Sequence, residues 1–235
     1  MMIVNNWINI IQDSLFPPTC ILCGNAGIDN LDICACCRRR LPLNTYCCAL
    51  CGESFSAPVA ELTLCGRCLQ EKPVFDKTFA PFTYNDEISY LNSQLKFGAQ
   101  FKIARLLGSL LAEELKSIEQ LPNCIIPMPL HSARYHERGF NQALEIGKCV
   151  ASCLRIEINH RACVRRKDTP HQTGLSAKQR RQNIRNAFAM INPVAASHVA
   201  ILDDVMTTGA TANELAKVLK KAGVKRVDVW VCARA

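Results

Sequence analysis

The run Val199-Ala-Ile-Leu-Asp-Asp-Val-Met-Thr-Thr-Gly-Ala-Thr211 decides how the rest of the chain is read. Val199 to Leu202 is a short apolar strand that ends in two adjacent acids, Asp203 and Asp204. A turn of small residues, Thr207 to Thr211, then opens a helix that reaches Ala222, with Gly223 placed as its C-cap residue. Gly209 and Ala210 let backbone N–H groups approach a phosphate closely, Thr207, Thr208 and Thr211 add hydroxyl donors, and the helix dipole favours negative charge. The two carboxylates before the turn are placed to accept hydrogen bonds from vicinal sugar hydroxyls and to face a magnesium ion. Phosphate, diol and metal together describe a 5-phosphoribosyl group. The run is neither a P-loop, since the turn has no lysine, nor a G-x-G-x-x-G fingerprint. A plain strand–helix turn with a threonine cap would leave the paired acids unexplained.

Working outward, strands and helices alternate. Cys124 to Ile126 and Val224 to Cys232 read as apolar strands, and Asn141 to Leu154 reads as a helix. Near-continuous apolar strands separated by helices predict an α/β fold, a mostly parallel sheet with helices on both faces. Ligands bind such sheets at the carboxyl ends of the strands, where the acids and the turn fall. Upstream, Thr78 to Tyr84 reads as a strand and Leu91 to Leu115 as one long helix. Asn141 and Gln142 suit two roles, orienting a sugar or phosphate, or capping the helix they begin.

Fifteen cysteines, ten of them between Cys20 and Cys68, set the amino-terminal part apart. They include four C-x-x-C pairs, Cys20/Cys23, Cys34/Cys37, Cys48/Cys51 and Cys65/Cys68. Two such turns complete the tetrahedral shell of a structural Zn²⁺, so sequential pairing predicts two ions. A disulfide framework needs an oxidising compartment that the amino terminus, with no basic segment or small-residue cleavage site, does not provide. So short a segment buries little core, and metal binding must supply its folding energy. Cys36 and Cys47 lie beside the pairs and could exchange with them. Cys124, Cys149, Cys153, Cys163 and Cys232 are expected to be small buried apolar residues. The resulting division is an amphipathic helix over 1–18, a double ribbon over 19–72 and the α/β domain over 73–235. In the first, Ile3, Trp7, Ile10, Ile11, Leu15 and Phe16 share a face.

The 235 residues are 49% hydrophobic and 20% charged, which excludes a disordered or fibrous chain, and no apolar run has membrane-spanning length. A cytoplasmic protein is expected. The net charge of +8 is localised: residues 134–185 hold 12 Lys and Arg against four acids. Arg134, Arg138, Arg165, Arg166, Lys167, Lys178, Arg180 and Arg181 supply guanidinium and ammonium groups suited to phosphates. His131, His136 and His171 have no metal spacing and read as loop donors.

The run from Val199 to Thr211 resembles the phosphoribosyl-pyrophosphate (PRPP) motif of type I phosphoribosyltransferases almost position for position. That resemblance implies a PRPP site with Mg²⁺, in which Asp203 and Asp204 contact the ribose hydroxyls and Thr207, Thr208, Gly209, Ala210 and Thr211 hold the 5-phosphate. Residues 125–142, ending in Arg138-Gly-Phe-Asn-Gln142, look like the loop that holds the pyrophosphate, which implies roles for Leu130, His131, Arg134 and Arg138. Residues 165–183 resemble the loop that closes over bound PRPP. Together with a cysteine ribbon, this order of motifs is similar to the ComF competence family.

Family resemblance implies a role in natural transformation. The protein would handle incoming single-stranded DNA in the cytoplasm or peripherally at the inner membrane, beside a DNA-translocating helicase and recombination factors. Arg165, Arg166, Lys167, Lys178, Arg180 and Arg181 are then the DNA-binding candidates. Few aromatics lie near them, so weak, salt-sensitive and sequence-independent binding is expected. The alternative is an active phosphoribosyltransferase acting on an unidentified acceptor, with Arg138, Arg165 and Lys167 as catalytic candidates stabilising departing pyrophosphate.

Overall fold

The computed structural model describes residues 17–98, 100–168 and 183–235. The expected amino-terminal helix, His171, and the basic residues Lys178, Arg180 and Arg181 lie outside them. Two compact units emerge, residues 1–42 and residues 43–235.

In the first unit, Thr19 and Ala26 form an antiparallel bridge, as do Ile28 and Leu31. Helix α1 (Ala35–Arg39) follows, and the Cys34 Sγ at its amino end accepts from the Cys37 N–H. Among the described residues of this unit, the fully buried Ile33 packs with Leu31, Leu41 and the buried Cys20, Cys34 and Cys37 in its core.

The second unit begins with a second knuckle, containing an antiparallel bridge between Cys47 and Ser54 and helix α2 (Gly66–Gln70). The chain continues through β1 (Lys77–Phe79), β2 (Phe82–Thr83), α3 (Asp86–Gly98), α4 (Phe101–Leu115) and β3 (Cys124–Pro127). Then come α5 (Ser132–Arg138), α6 (Gln142–Leu154), β4 (Glu157–Ile158), β5 (Cys163–Arg165) and β6 (Phe188–Met190). Strand β7 (His198–Met206), α7 (Ala210–Lys221) and β8 (Arg226–Arg234) complete it.

Six strands form one sheet in the order β1-β8-β7-β3-β4, with β2 also on β8, and every pairing is parallel. Side chains on successive strand residues point to opposite faces. All eight residues from Val227 to Arg234 are nevertheless buried, so both faces of β8 are covered. The expected parallel α/β fold is met. Helices α4 and α6 pack together, and a Cβ placed on Gly108 would lie 2.7 Å from the Cys149 Cβ and 2.9 Å from the Ile146 carbonyl oxygen. Only glycine lets these two helices approach so closely.

Four local expectations change. The long helix over Leu91–Leu115 is two helices, α3 and α4; the first starts earlier, where the Asn85 Oδ1 accepts from the Ile88 N–H and Asp86 and Glu87 occupy the first turn. The strand over Thr78–Tyr84 is two short strands split at Ala80-Pro81. Strand β7 does not stop at the acids but runs through them to Met206. Of the scattered cysteines, Cys124, Cys163 and Cys232 are buried, but Cys153 is exposed, and Cys149, which faces Gly108 of α4, is half-buried. The antiparallel hairpin of β5 and β6 was not expected.

Candidate functional site

The sheet order creates a switch point. From β3 the chain moves outward to β4, and from β7 it moves the other way to β8. The crevice beyond the carboxyl ends of β3 and β7 is where open α/β sheets bind ligands. A cavity of ≈ 330 Å³ lies there, lined by Met128 to Leu130 after β3 and by Asp203, Asp204, Thr207 and Thr211 on and after β7.

Register explains the two acids. Asp203 and Asp204 are adjacent on a strand, so they project to opposite faces and meet different surroundings. Asp204 is almost fully buried, and its Oδ2 lies 2.5 Å from the Lys96 Nζ on α3. Burial raises the Asp204 carboxyl, but the Lys96 charge and the hydrogen bonds from Asp203, Lys96 and Gln142 together outweigh it and hold the group below the ordinary carboxylate range. Asp203 is pushed well above that range, first by burial and then by the charge of Asp204. Its Oδ1 accepts from the Asp204 N–H at 2.9 Å. The pair therefore holds one firmly ionised acid and one that retains its proton more readily.

Gln142 bridges this pair to the basic segment. Its Oε1 accepts from the Arg138 Nη1 at 2.5 Å, and its side chain hydrogen-bonds Asp204. Asn141 has the other of the two expected roles: its Oδ1 accepts from the Ala143 and Leu144 N–H groups as the cap of α6, and its Nδ2 donates to the Met128 carbonyl. Asn141 thus fixes the end of β3 that lines the cavity.

The turn after β7 is built for close approach. Gly209 has φ +75° and caps α7, a conformation any other residue adopts with strain. The Thr208 Oγ1 accepts from the Ala210 N–H at 3.3 Å. Thr207 and Thr211 face the cavity with the acids, whereas Thr208, Gly209 and Ala210 line a second cavity on the other side of the turn.

Among the basic candidates, Arg165 on β5 lines the acid-side cavity and stacks over Phe188. Burial lowers its pKa, opposed by the charge of Asp203. Arg166 and Lys167 are exposed, and the Lys167 Nζ donates to the Arg185 carbonyl at 2.7 Å. Leu130 lines the cavity, while His131 caps α5 through its Nδ1. His131 and Arg134 both reach the Asp168 carboxylate, at 3.8 and 3.6 Å, so the segment after β3 meets the segment after β5. Lys96, Asn92 and Tyr84 were not foreseen; all three reach the cavity from the chain preceding β3.

The cysteines group as sequential pairing predicts. Cys20, Cys23, Cys34 and Cys37 form one cluster and Cys48, Cys51, Cys65 and Cys68 another, with sulfurs within 4.8 Å of one another. The Cys23–Cys34 and Cys51–Cys65 Sγ separations are 3.6 and 3.5 Å. A tetrahedron with Zn–S bonds of about 2.3 Å has edges of about 3.8 Å, so both sets fit zinc. Burial works against ionisation, yet backbone N–H donors bring the Cys20 thiol down to about 6 and the Cys48 thiol to about 7. Each cluster thus offers a thiolate at neutral pH. Cys36 and Cys47 stand outside both sets.

Comparison with known proteins agrees with this layout. The double zinc ribbon domain matches residues 11–69. Competence protein F of Haemophilus influenzae is 38% identical over 225 residues, covering 92% of this chain and 96% of that protein. DNA utilization protein YhgH of Salmonella typhimurium is 35% identical over 225 residues, covering 93% and 97%. The purine phosphoribosyltransferase of Pyrococcus horikoshii superposes on 55% of this chain and 80% of its own, with 15% identity and a TM-score of 0.34.

Proposed function

The chain belongs to the family of competence protein F and the DNA utilization proteins, and from that premise we propose that it serves DNA uptake and use by handling incoming single-stranded DNA through a domain that binds a 5-phosphoribosyl group. The observation that carries the sugar-phosphate half is the switch-point cavity, where an acid pair, a threonine-lined turn and Arg165 converge. Asp203 and Asp204 accept from the ribose hydroxyls, and the turn after β7 receives the 5-phosphate on N–H and hydroxyl donors. Leu130 and Arg138 border the place for a pyrophosphate. Asp203, not engaged by Lys96, is the group that would hold Mg²⁺, whose charge would neutralise part of that pyrophosphate.

The DNA half rests on the relatives' names and on charge. Arg165 lines the cavity and the exposed Arg166 and Lys167 follow it along the chain, and their guanidinium and ammonium groups attract a phosphate backbone without reading sequence. In the cell the protein would work in the cytoplasm or at the inner membrane, with a helicase and recombination factors as partners. Zinc in each cysteine tetrad stabilises the ribbons that complete the chain.

The test has two arms. PRPP should bind in the presence of Mg²⁺, and the Asp203→Asn/Asp204→Asn variant should lose that binding; undiminished affinity in the variant rejects the site. Single-stranded DNA binding should fall steeply between low and physiological salt, and a flat response rejects the basic contacts. A second reading, phosphoribosyl transfer, is favoured by the convergence of Arg165 with the acids in one cavity. Pyrophosphate release with a panel of bases and amines decides it.

A further inference from the structure

The turn after β7 has a second side. Behind Thr208, Gly209 and Ala210 lies a cavity of ≈ 540 Å³, larger than the one that holds the acid pair. A phosphomonoester needs no room there: its phosphate would end on the turn. Lys96 and Arg165 balance Asp203 and Asp204 on the acid side. On the other side Arg67, Lys72, Arg185 and Lys217 face Glu71, Glu214 and the Cys51 and Cys68 sulfurs of the second tetrad, and Arg67 pairs with Glu53. Glu214 is already engaged, pairing with the Lys217 Nζ at 2.5 Å and accepting from the Asn186 N–H at 3.3 Å. The buried Phe75 and the side of Pro73 give this cavity an apolar wall.

A partly apolar chamber that carries Lys72 and Arg185 on the far side of a sugar-phosphate turn fits a group attached to that phosphate. We infer that the two cavities form one bipartite site for a ribose 5-phosphate whose phosphate carries a second organic group, through an ester or an anhydride bond: the sugar diol on Asp203 and Asp204, the phosphate over the turn, and the attached nucleoside or nucleotide in the chamber beside Lys72, Phe75 and Arg185. This rests on the sugar-phosphate reading proposed above and extends it to a ligand class. The diol requirement is specific. A nucleoside diphosphate sugar such as adenosine diphosphate ribose meets it, and so does the 3′-terminal residue of an RNA strand; a deoxyribonucleotide does not.

Titration of the full-length zinc-loaded protein tests the inference with ribose 5-phosphate, adenosine diphosphate ribose, the ribodinucleotide ApA and its deoxy counterpart. A ligand with a second group on that phosphate should bind about tenfold more tightly than ribose 5-phosphate, the scale set by two partly exposed cationic contacts. The Lys72→Ala/Arg185→Ala variant should lose that advantage while keeping its affinity for ribose 5-phosphate. An advantage for adenosine diphosphate ribose or for ApA supports the inference, and which ligand shows it separates a nucleoside diphosphate sugar from an RNA end. Binding of ribose 5-phosphate with no gain for either larger ligand, a gain that survives the double substitution, or equal binding of the deoxy form overturns the inference and leaves the sugar-phosphate site standing. Absence of ribose 5-phosphate binding overturns both.

Discussion

Two carboxylates one residue apart end up with opposed proton affinities because a strand sends them to different faces and only one meets a lysine. Burial and the neighbouring charge raise Asp203, while at Asp204 the Lys96 charge and the hydrogen bonds around the carboxylate together overcome burial. A ligand hydroxyl or Mg²⁺ is better served by ionised Asp203, so affinity for Mg²⁺–PRPP should grow as pH rises through the elevated Asp203 value. Lys96→Met removes a charge that favours ionisation of both acids and should move this midpoint to higher pH. Asp204→Asn removes the charge that disfavours ionisation of Asp203 and should move it lower. Calorimetric titration of each variant beside the parent protein, so that the ligand's own titration cancels, checks both signs; an unmoved midpoint in Lys96→Met would remove the lysine from the site. The acids and the threonine turn were legible from sequence because their chemistry is contiguous. Lys96 was not, because it lies more than 100 residues before Asp204 and nothing but the packing of α3 against the end of β7 brings the two together.

Elements were legible where their signal was local and blurred where tertiary contact set their limits. Pairing with β8 carries β7 four residues beyond the apolar run, so Asp203 and Asp204 ride on a strand rather than on a loose end. Proline accounts for the break between β1 and β2, since it has no N–H to give a ladder. Helices α4 and α6 depend on Gly108. Alanine there would gain roughly 1 kcal/mol of helix propensity. It would also set a Cβ against the Cys149 Cβ and a backbone oxygen, an overpacking that typically costs about 1–3 kcal/mol. We expect Gly108→Ala to lower the thermal midpoint by roughly 2–6 °C, read by circular dichroism. A raised midpoint would show that the helices can part to admit a methyl group.

For the whole molecule, the two cysteine tetrads share a motif but not a setting. The double zinc ribbon domain spans both, yet the second tetrad falls in the same compact unit as the sheet. Arg234, at the end of β8 and almost fully buried, donates to the carbonyls of Cys51 and Met206 at 3.1 Å and pairs with Glu53. It ties the second knuckle to the residue just before the phosphate turn. Metal analysis should return two zinc ions per chain. Cys20→Ser/Cys23→Ser should leave one ion and an unchanged affinity for PRPP, whereas Cys48→Ser/Cys51→Ser should leave one ion and weaken PRPP binding several-fold. Equal effects of the two substitutions would contradict the link through Arg234. One half of the motif thus falls outside the unit that holds the sheet, while the other has become masonry. A dissection that starts the sheet at residue 73 would pull out a cornerstone, and the seam to cut lies between Pro42 and Leu43.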